Sequence, residues 1–409
     1  MIALLKILFI FAGIIILLSR KWNLGLVLII AAVIVGLLFG YPLLEIGRDI
    51  LATAIAPLTL RIALAVVLIM TLSELLRSSG SLKTLITSLQ DLVPNGRIVI
   101  ASLPALVGLL PMVGGAMFSA PMVDEVGEQM GIDQESKTFI NYWFRHIWEY
   151  VSPVYPSVML SAAMLGLSVQ QLARATWPLT ITAIIGGIFF GLKNIPGRVQ
   201  KNKPTNPNER SLRTLAESIW PIILVIILSL VLPVNEDFRL LLGLVITISL
   251  VLIFKHIPMS TLWTILRQRI PWATIVVVFG ALIFRQVLEG SGAVAAVSVE
   301  LTNFNIPVAI IAFVVPFIAG LLTGLSFAAF SIGFPVVLPL VAPGGGVIAS
   351  HWVVWLMAGG FLGVMFSPLH LCLSLTRVYY HAEWGPIYKR IIPSALGVVL
   401  TAVIILLLA

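Results

Sequence analysis

The run NYWFRHIWEYVSP holds the densest set of groups able to bind a ligand. Arg145 and Glu149 stand four residues apart, so a helix puts them on one face, with Asn141 a turn earlier. Two readings fit this spacing. The pair is either a structural ion pair, or Arg145 offers its planar fork to a carboxylate or phosphate. His146 and the distant His370 are either proton carriers or satisfied buried imidazoles. Ser152-Pro153 (followed by Pro156) and Ser367-Pro368 (followed by His370) place proline where a span should continue. Proline removes a helix hydrogen bond and frees carbonyls, and freed carbonyls coordinate cations such as sodium. The alternative is a plain kink. Glu149, Ser152, Pro153, Ser367 and Pro368 are the expected ion-coupling residues, with Na+ or H+ as the ion.

Two other segments have the composition of a ligand-binding tip. GLLPMVGGAMFSAP carries Gly114, Gly115 and Ser119, and GLLTGLSFAAFSIGFP carries Thr323, Gly324, Ser326 and Ser331. Small residues let backbone approach a ligand and leave N–H groups able to hold an anion. They also serve close helix packing, the commoner use of a single glycine in membranes. Taken as a pair, the tips point to a ligand site. With Asn141, Arg145 and His370 they make up the expected substrate-binding residues.

The elements that must position these groups are membrane spans. Hydrophobic residues make up 59% of the 409 and charged residues 10%, where a soluble chain carries roughly a quarter charged. Lipid is the only solvent that suits such a surface. The net charge of +8 comes from short basic loops, as membrane orientation requires, and no basic-aromatic patch of nucleic-acid-binding type is present. With 17 acidic residues and five histidines, mostly in loops, no metal spacing or acid–base cluster is visible. An enzyme, a cofactor and a resident metal are therefore not expected. Cys372 is the sole cysteine, which precludes an intrachain disulfide and reads as a bland buried thiol.

Apolar stretches of spanning length fall near 2–18, 24–40, 57–76, 138–166, 173–192, 214–233, 238–254, 272–289, 350–372 and 391–409. Residues 1–20 read as a first span rather than a cleavable signal. Two further apolar stretches, within 98–130 and 306–342, are broken by Gly and Pro and read as re-entrant hairpins. With both termini outside, Arg20, Lys21, Arg77, Lys83, Arg97, the basic 193–213 loop, Lys255, Arg267, Arg269, Arg377, Lys389 and Arg390 all fall inside. That count holds only if each hairpin enters and leaves on one side. It implies a multi-pass protein of the inner (plasma) membrane, with 193–213 as a cytoplasmic linker.

The two sides of that linker repeat. Ser79-Gly80 matches Ser291-Gly292, Gly108-Leu109-Leu110 matches Gly320-Leu321-Leu322, and Phe118-Ser119 matches Phe330-Ser331, each at an offset of 212. Ser152-Pro153 matches Ser367-Pro368 at 215. Residues 1–192, with a broken helix over 138–166, and 214–409, with one over 350–380, then form two halves of five spans plus one hairpin. An odd number of crossings inverts the second half, an architecture common in transporters. Leu82, Leu85, Ile86, Leu89, Leu92 and Val93 share a helical face, as do Val294, Val297, Leu301 and Phe304. These fit either surface connectors or arms joining a scaffold to a moving unit.

The segments PMVGGAMFSAPMVDEVG and FRHIWEYVSPVYPS, set in this inverted frame, resemble a prokaryotic integral-membrane family of the ion transporter superfamily. More distantly the chain resembles the divalent-anion/sodium symporters and the gluconate and citrate permeases. The resemblance implies an all-α elevator transporter, usually a homodimer, in which hairpins and broken helices move past a static scaffold. The symporters carry Ser-Asn-Thr at each tip, whereas this chain has Gly114-Gly115 and Thr323-Gly324-Leu325-Ser326. The expected activity is gradient-driven transport of an organic anion, with Arg145 as its counter-charge. An amphipathic or lipid-phosphate ligand (Met112, Met117, Phe118, Phe327 and Phe330 line the tips) and cation/proton antiport through Glu149 are the alternatives.

Overall fold

A computed structural model of the chain describes residues 2–80, 84, 88, 92–93, 95–111, 115–193, 195, 209–303, 306–343 and 346–409. Among them the chain is helical and contains no strand. The protein is a polytopic helical membrane protein: among the described residues seven helical segments are long and apolar enough to cross a bilayer, counting Ser350–Tyr380 as one. Backbone polar groups in lipid must be satisfied within a segment, which leaves the helix as the solution for apolar runs of this kind.

Before the linker the order is α1 (Ile2–Ser19), α2 (Leu24–Leu38), α3 (Leu43–Ile55), α4 (Pro57–Ser78), α5 (Gly96–Val107), α6 (Gly115–Gln129), α7 (Gln134–His146), α8 (Pro156–Leu165) and α9 (Val169–Gly186). After it come α10 (Glu209–Val231), α11 (Glu236–Phe254), α12 (Met259–Thr264), α13 (Trp272–Gly290), α14 (Ala293–Asn303), α15 (Val308–Thr323), α16 (Ser326–Val341), α17 (Ser350–Phe366), α18 (Leu371–Tyr380) and α19 (Trp384–Leu407). Helix α3 was not expected. No span was expected between 40 and 57, where Glu45, Arg48 and Asp49 lie, yet the strongly one-sided apolar pattern suits a helix lying along a surface. Most of the face carrying Leu82, Leu85, Ile86 and Leu89 lies outside the described residues, as do Phe304, the Leu301 side chain and nearly all of 193–208.

Both hairpin segments are helix pairs, α5 with α6 and α15 with α16. At 1.5 Å per residue, α5 is about 18 Å long and α15 about 24 Å, short of the roughly 30 Å hydrocarbon core. Length alone does not set them apart, because α2 has only 15 residues. The tip of the second pair is a short turn. Gly324 closes α15 at φ +66°, and α16 starts two residues later.

Both Ser-Pro motifs interrupt the helix outright instead of kinking it. After α7 a 3-10 turn covers Ile147–Tyr150, and the chain leaves helix until Pro156 opens α8. Proline suits that first helical position, where no N–H is needed. After α17, Ser367 is extended and α18 resumes at Leu371, with His370 as its N-cap. Behind these breaks, α15 and α17 pack backbone to backbone. A Cβ on Gly363 would lie 2.0 Å from the Phe317 carbonyl oxygen, and one on Gly320 2.6 Å from that of Gly360.

Candidate functional site

The two helix breaks and the second hairpin tip meet around a buried polar cluster. Arg145, His146, Glu149 and His370 are 3%, 1%, 8% and 8% exposed. Ionisable groups this deep in a membrane protein are costly and mark pathways or binding sites more often than packing. Glu149, on the 3-10 turn, accepts a hydrogen bond from the Ser326 hydroxyl at 3.2 Å, tying the first break to the second tip. Its Oε1 is 3.7 Å from His146 Nε2. Across the halves, His146 Nε2 and His370 Nε2 are 3.2 Å apart, with the rings edge to face. Tyr142 packs on both rings, and its backbone carbonyl lies 2.6 Å from His146 Nδ1. Arg145 sits within electrostatic reach of Glu149, Tyr155, His370 and Cys372.

The second tip is pressed onto the second break. A Cβ on Gly324 would come within 2.6 Å of the His370 amide nitrogen, so only glycine fits both the turn and the contact. The Ser367 hydroxyl donates to the Leu321 carbonyl at 2.6 Å and accepts from the Leu369 N–H at 3.2 Å. At the first hairpin, the Tyr155 hydroxyl donates to the Gly108 carbonyl, and a Cβ on Gly108 would meet the Arg145 carbonyl at 2.1 Å.

The expected residues therefore divide. Arg145, Glu149, Gly324, Ser326 and His370 come together in one cluster. Ser152 is buried beside Pro153 in the first break, while Pro368 is exposed on the second. Ser119 and Asn141 belong to a separate, fully buried network. Ser119 donates to Asn141 Oδ1 at 2.6 Å, and Asn141 Nδ2 donates to the Ala116 carbonyl at 2.9 Å and to Thr376 Oγ1 at 3.1 Å. This network ties α6 and α7 to α18, which makes Asn141 a tether rather than an open ligand group. Thr323 turns its hydroxyl back to the Ala319 carbonyl at 2.7 Å. Ser331 is buried within α16. Gly115 opens α6 and is buried, and Gly114 lies outside the described residues.

Sequence reasoning missed three contributors. Thr376 and Tyr142 carry no local signal, since their partners come from across the chain. Cys372, taken as a bland thiol, is half-buried, and its Sγ and one ring nitrogen each of His146 and His370 all lie within 4.8 Å of one another. The His-x-Cys spacing at 370–372 was the available hint.

A family model described as "Protein of unknown function (DUF401)" matches residues 2–408. The chain belongs to the DUF401 family. No curated protein matches this DUF401 member.

Proposed function

We propose that this DUF401 member is a secondary active transporter of an anionic solute, coupled to a sodium or proton gradient and working by an elevator form of alternating access. The observation that carries the proposal is the buried cluster in which Arg145 and Glu149 sit between two interrupted helices and a hairpin tip. Interrupted helices present N–H and C=O groups at membrane depth, which is tolerated where they are buried in protein or line a cavity. The guanidinium of Arg145 is the counter-charge for the anion. Glu149, with the backbone freed at 151–155 and 367–370, serves the coupling ion.

Inverted repetition is supported by paired contacts. The Ala105 carbonyl accepts from Trp148 Nε1 at 2.8 Å, and the Phe317 carbonyl lies against Gly363; 317 − 105 = 212 and 363 − 148 = 215. Gly108 lies against the Arg145 carbonyl as Gly320 lies against that of Gly360, with 320 − 108 = 212 and 360 − 145 = 215. Helix order matches as well, since α6 to α9 and α16 to α19 run hairpin arm, half-helix, half-helix, span. The same proposal places the termini outside and the 193–213 linker in the cytoplasm, and takes the unit as a homodimer in the plasma membrane.

A second ligand class, an amphipathic phosphate-bearing molecule, is favoured by one observation. A cavity of about 540 Å3 has Arg97 and Lys193 among walls that are otherwise mostly apolar, including Ile98, Phe144, Ile184 and Phe189. Uptake of labelled anions into proteoliposomes under imposed sodium or proton gradients tests both. Uptake that Arg145→Gln abolishes without unfolding supports the proposal. Transport of phosphate-bearing amphiphiles alone favours the second class, and no uptake across a broad panel under either gradient overturns the proposal.

A further inference from the structure

His146, His370 and Cys372 converge from both breaks, and Glu149 joins them through His146. His146 Nδ1 lies 2.6 Å from the Tyr142 carbonyl, and a carbonyl can only accept, so Nδ1 carries the proton in the neutral ring. That fixes the tautomer and leaves the Nε2 lone pair facing the cluster. A backbone carbonyl orienting an imidazole in this way is the usual outer support of a metal-bound histidine. His370 Nε2 lies 3.2 Å from that lone pair, and His370 Nδ1 is buried with no hydrogen-bond partner among the described residues.

We propose that these four side chains form a binding site for one borderline divalent first-row metal ion of the zinc class, bridging the two broken helices. The separations fit a shared ion. Two imidazole nitrogens at about 2.0–2.1 Å from a tetrahedral centre lie about 3.3–3.4 Å apart, against 3.2 Å here. A carboxylate oxygen and an imidazole nitrogen on one such centre lie about 3.4 Å apart. Glu149 Oε1 is 3.7 Å from His146 Nε2 but stands outside the close grouping of His146, His370 and Cys372, so Glu149 completes the site by a side-chain shift. Cys372 Sγ, within 4.8 Å of the ring nitrogens, needs about 1 Å of closure to reach the roughly 3.5 Å of a shared ion. Cys372 is half-buried near the start of α18, and the proposal requires its side chain to make that movement on binding.

The donor set sorts the candidates. Two imidazoles, one thiolate and one carboxylate suit zinc and its first-row neighbours and do not suit the oxygen-seeking magnesium or calcium. Charge also balances. Thiolate and carboxylate together offset the dication, so Arg145 faces a neutral coordination unit instead of a bare ion. Cys372 binds as thiolate and releases one proton to solvent.

The site shares Glu149 and His370 with the transport proposal but not its test, which needs neither solute nor gradient. Protein purified without chelator is assayed for metal content, and chelated protein is titrated with Co2+, whose thiolate-to-metal charge-transfer absorption reports a Co–S bond. The expected result is one equivalent of zinc-class metal per chain and a saturable charge-transfer band. Cys372→Ser should lose that band while still binding Co2+ more weakly, and His370→Gln should lower affinity at least tenfold, both with melting temperatures of the metal-free protein near the parent's. Sub-stoichiometric metal with no Co–S band in the parent protein overturns the proposal. So does a band that persists in Cys372→Ser.

Discussion

Replacing Gly324 by alanine isolates the contact that seats the second hairpin tip on the second helix break. Gly324, Gly292 and Gly80 all adopt left-handed backbone, at φ +66°, +71° and +72°. An added Cβ meets nothing within 4 Å at Gly292 or Gly80, but at Gly324 it lies 2.6 Å from the His370 nitrogen and 2.7 Å from the Leu369 carbonyl carbon. All three substitutions share the left-handed cost of about 1 kcal/mol. Only Gly324→Ala adds an overpacking cost, about 1–3 kcal/mol where backbone must shift. At roughly 2 °C per kcal/mol for a chain of this size, Gly324→Ala should melt about 2–6 °C below Gly292→Ala in the same detergent. Because the displaced atoms belong to the Leu369–His370 backbone, Co2+ affinity at the proposed metal site should fall with it, while Gly292→Ala leaves that affinity unchanged. Equal melting temperatures for the two variants would refute the claim that the tip is seated on the break.

Two further outcomes follow from charges around the start of α7. Lys137 is fully buried, bonds Asp124 at 2.8 Å and also Glu128, and its partners are 36% and 67% exposed. Lys137→Met should cost only about 1 kcal/mol because the acids turn to water, whereas Asp124→Ala/Glu128→Ala should cost about 3–5 kcal/mol by stranding a buried ammonium; thermal melts of the two variants check the asymmetry. Asp133 caps α7. Burial would raise its pKa, but hydrogen bonds from the Ser136 hydroxyl and amide, with Arg390 at 3.5 Å, outweigh burial and hold the carboxyl below the usual range. Its stabilisation is present above the unfolded value near pH 3.9 and is lost as pH falls through the lower folded value. The melting temperature should therefore fall less between pH 6 and pH 3 in Asp133→Asn than in the parent.

How much of this was legible in the sequence depended on whether the cause was local. Pro153, Pro156 and Pro368 punctuate strongly, so the breaks could be placed, although full interruption rather than kinking is visible only in three dimensions. The interruptions that divide α5 from α6 and α15 from α16 were legible because glycine and proline break otherwise apolar runs there. Helix α3 was misjudged because three charged residues in thirteen look like loop when the apolar face is ignored. The Lys137 ion pairs were not anticipated, since nothing local announces that Asp124 and Glu128 fold back to meet it. Asn141 was expected to face a ligand, but its amide is committed to Ser119, Ala116 and Thr376. The His146–His370–Cys372 grouping joins residues more than two hundred apart, and only the meeting of the two breaks brings them together.

Alternating access around the cluster is tested most directly at Leu325, which sits 40% exposed on the second tip between Gly324 and Ser326. With Cys372, the sole cysteine, replaced by serine, Leu325→Cys gives a single reporter for a membrane-impermeant maleimide applied to either side of sealed vesicles. The elevator proposal predicts labelling from one side at rest and from the opposite side once gradient and transported anion are imposed. Labelling from a single side under every gradient and solute condition would contradict it.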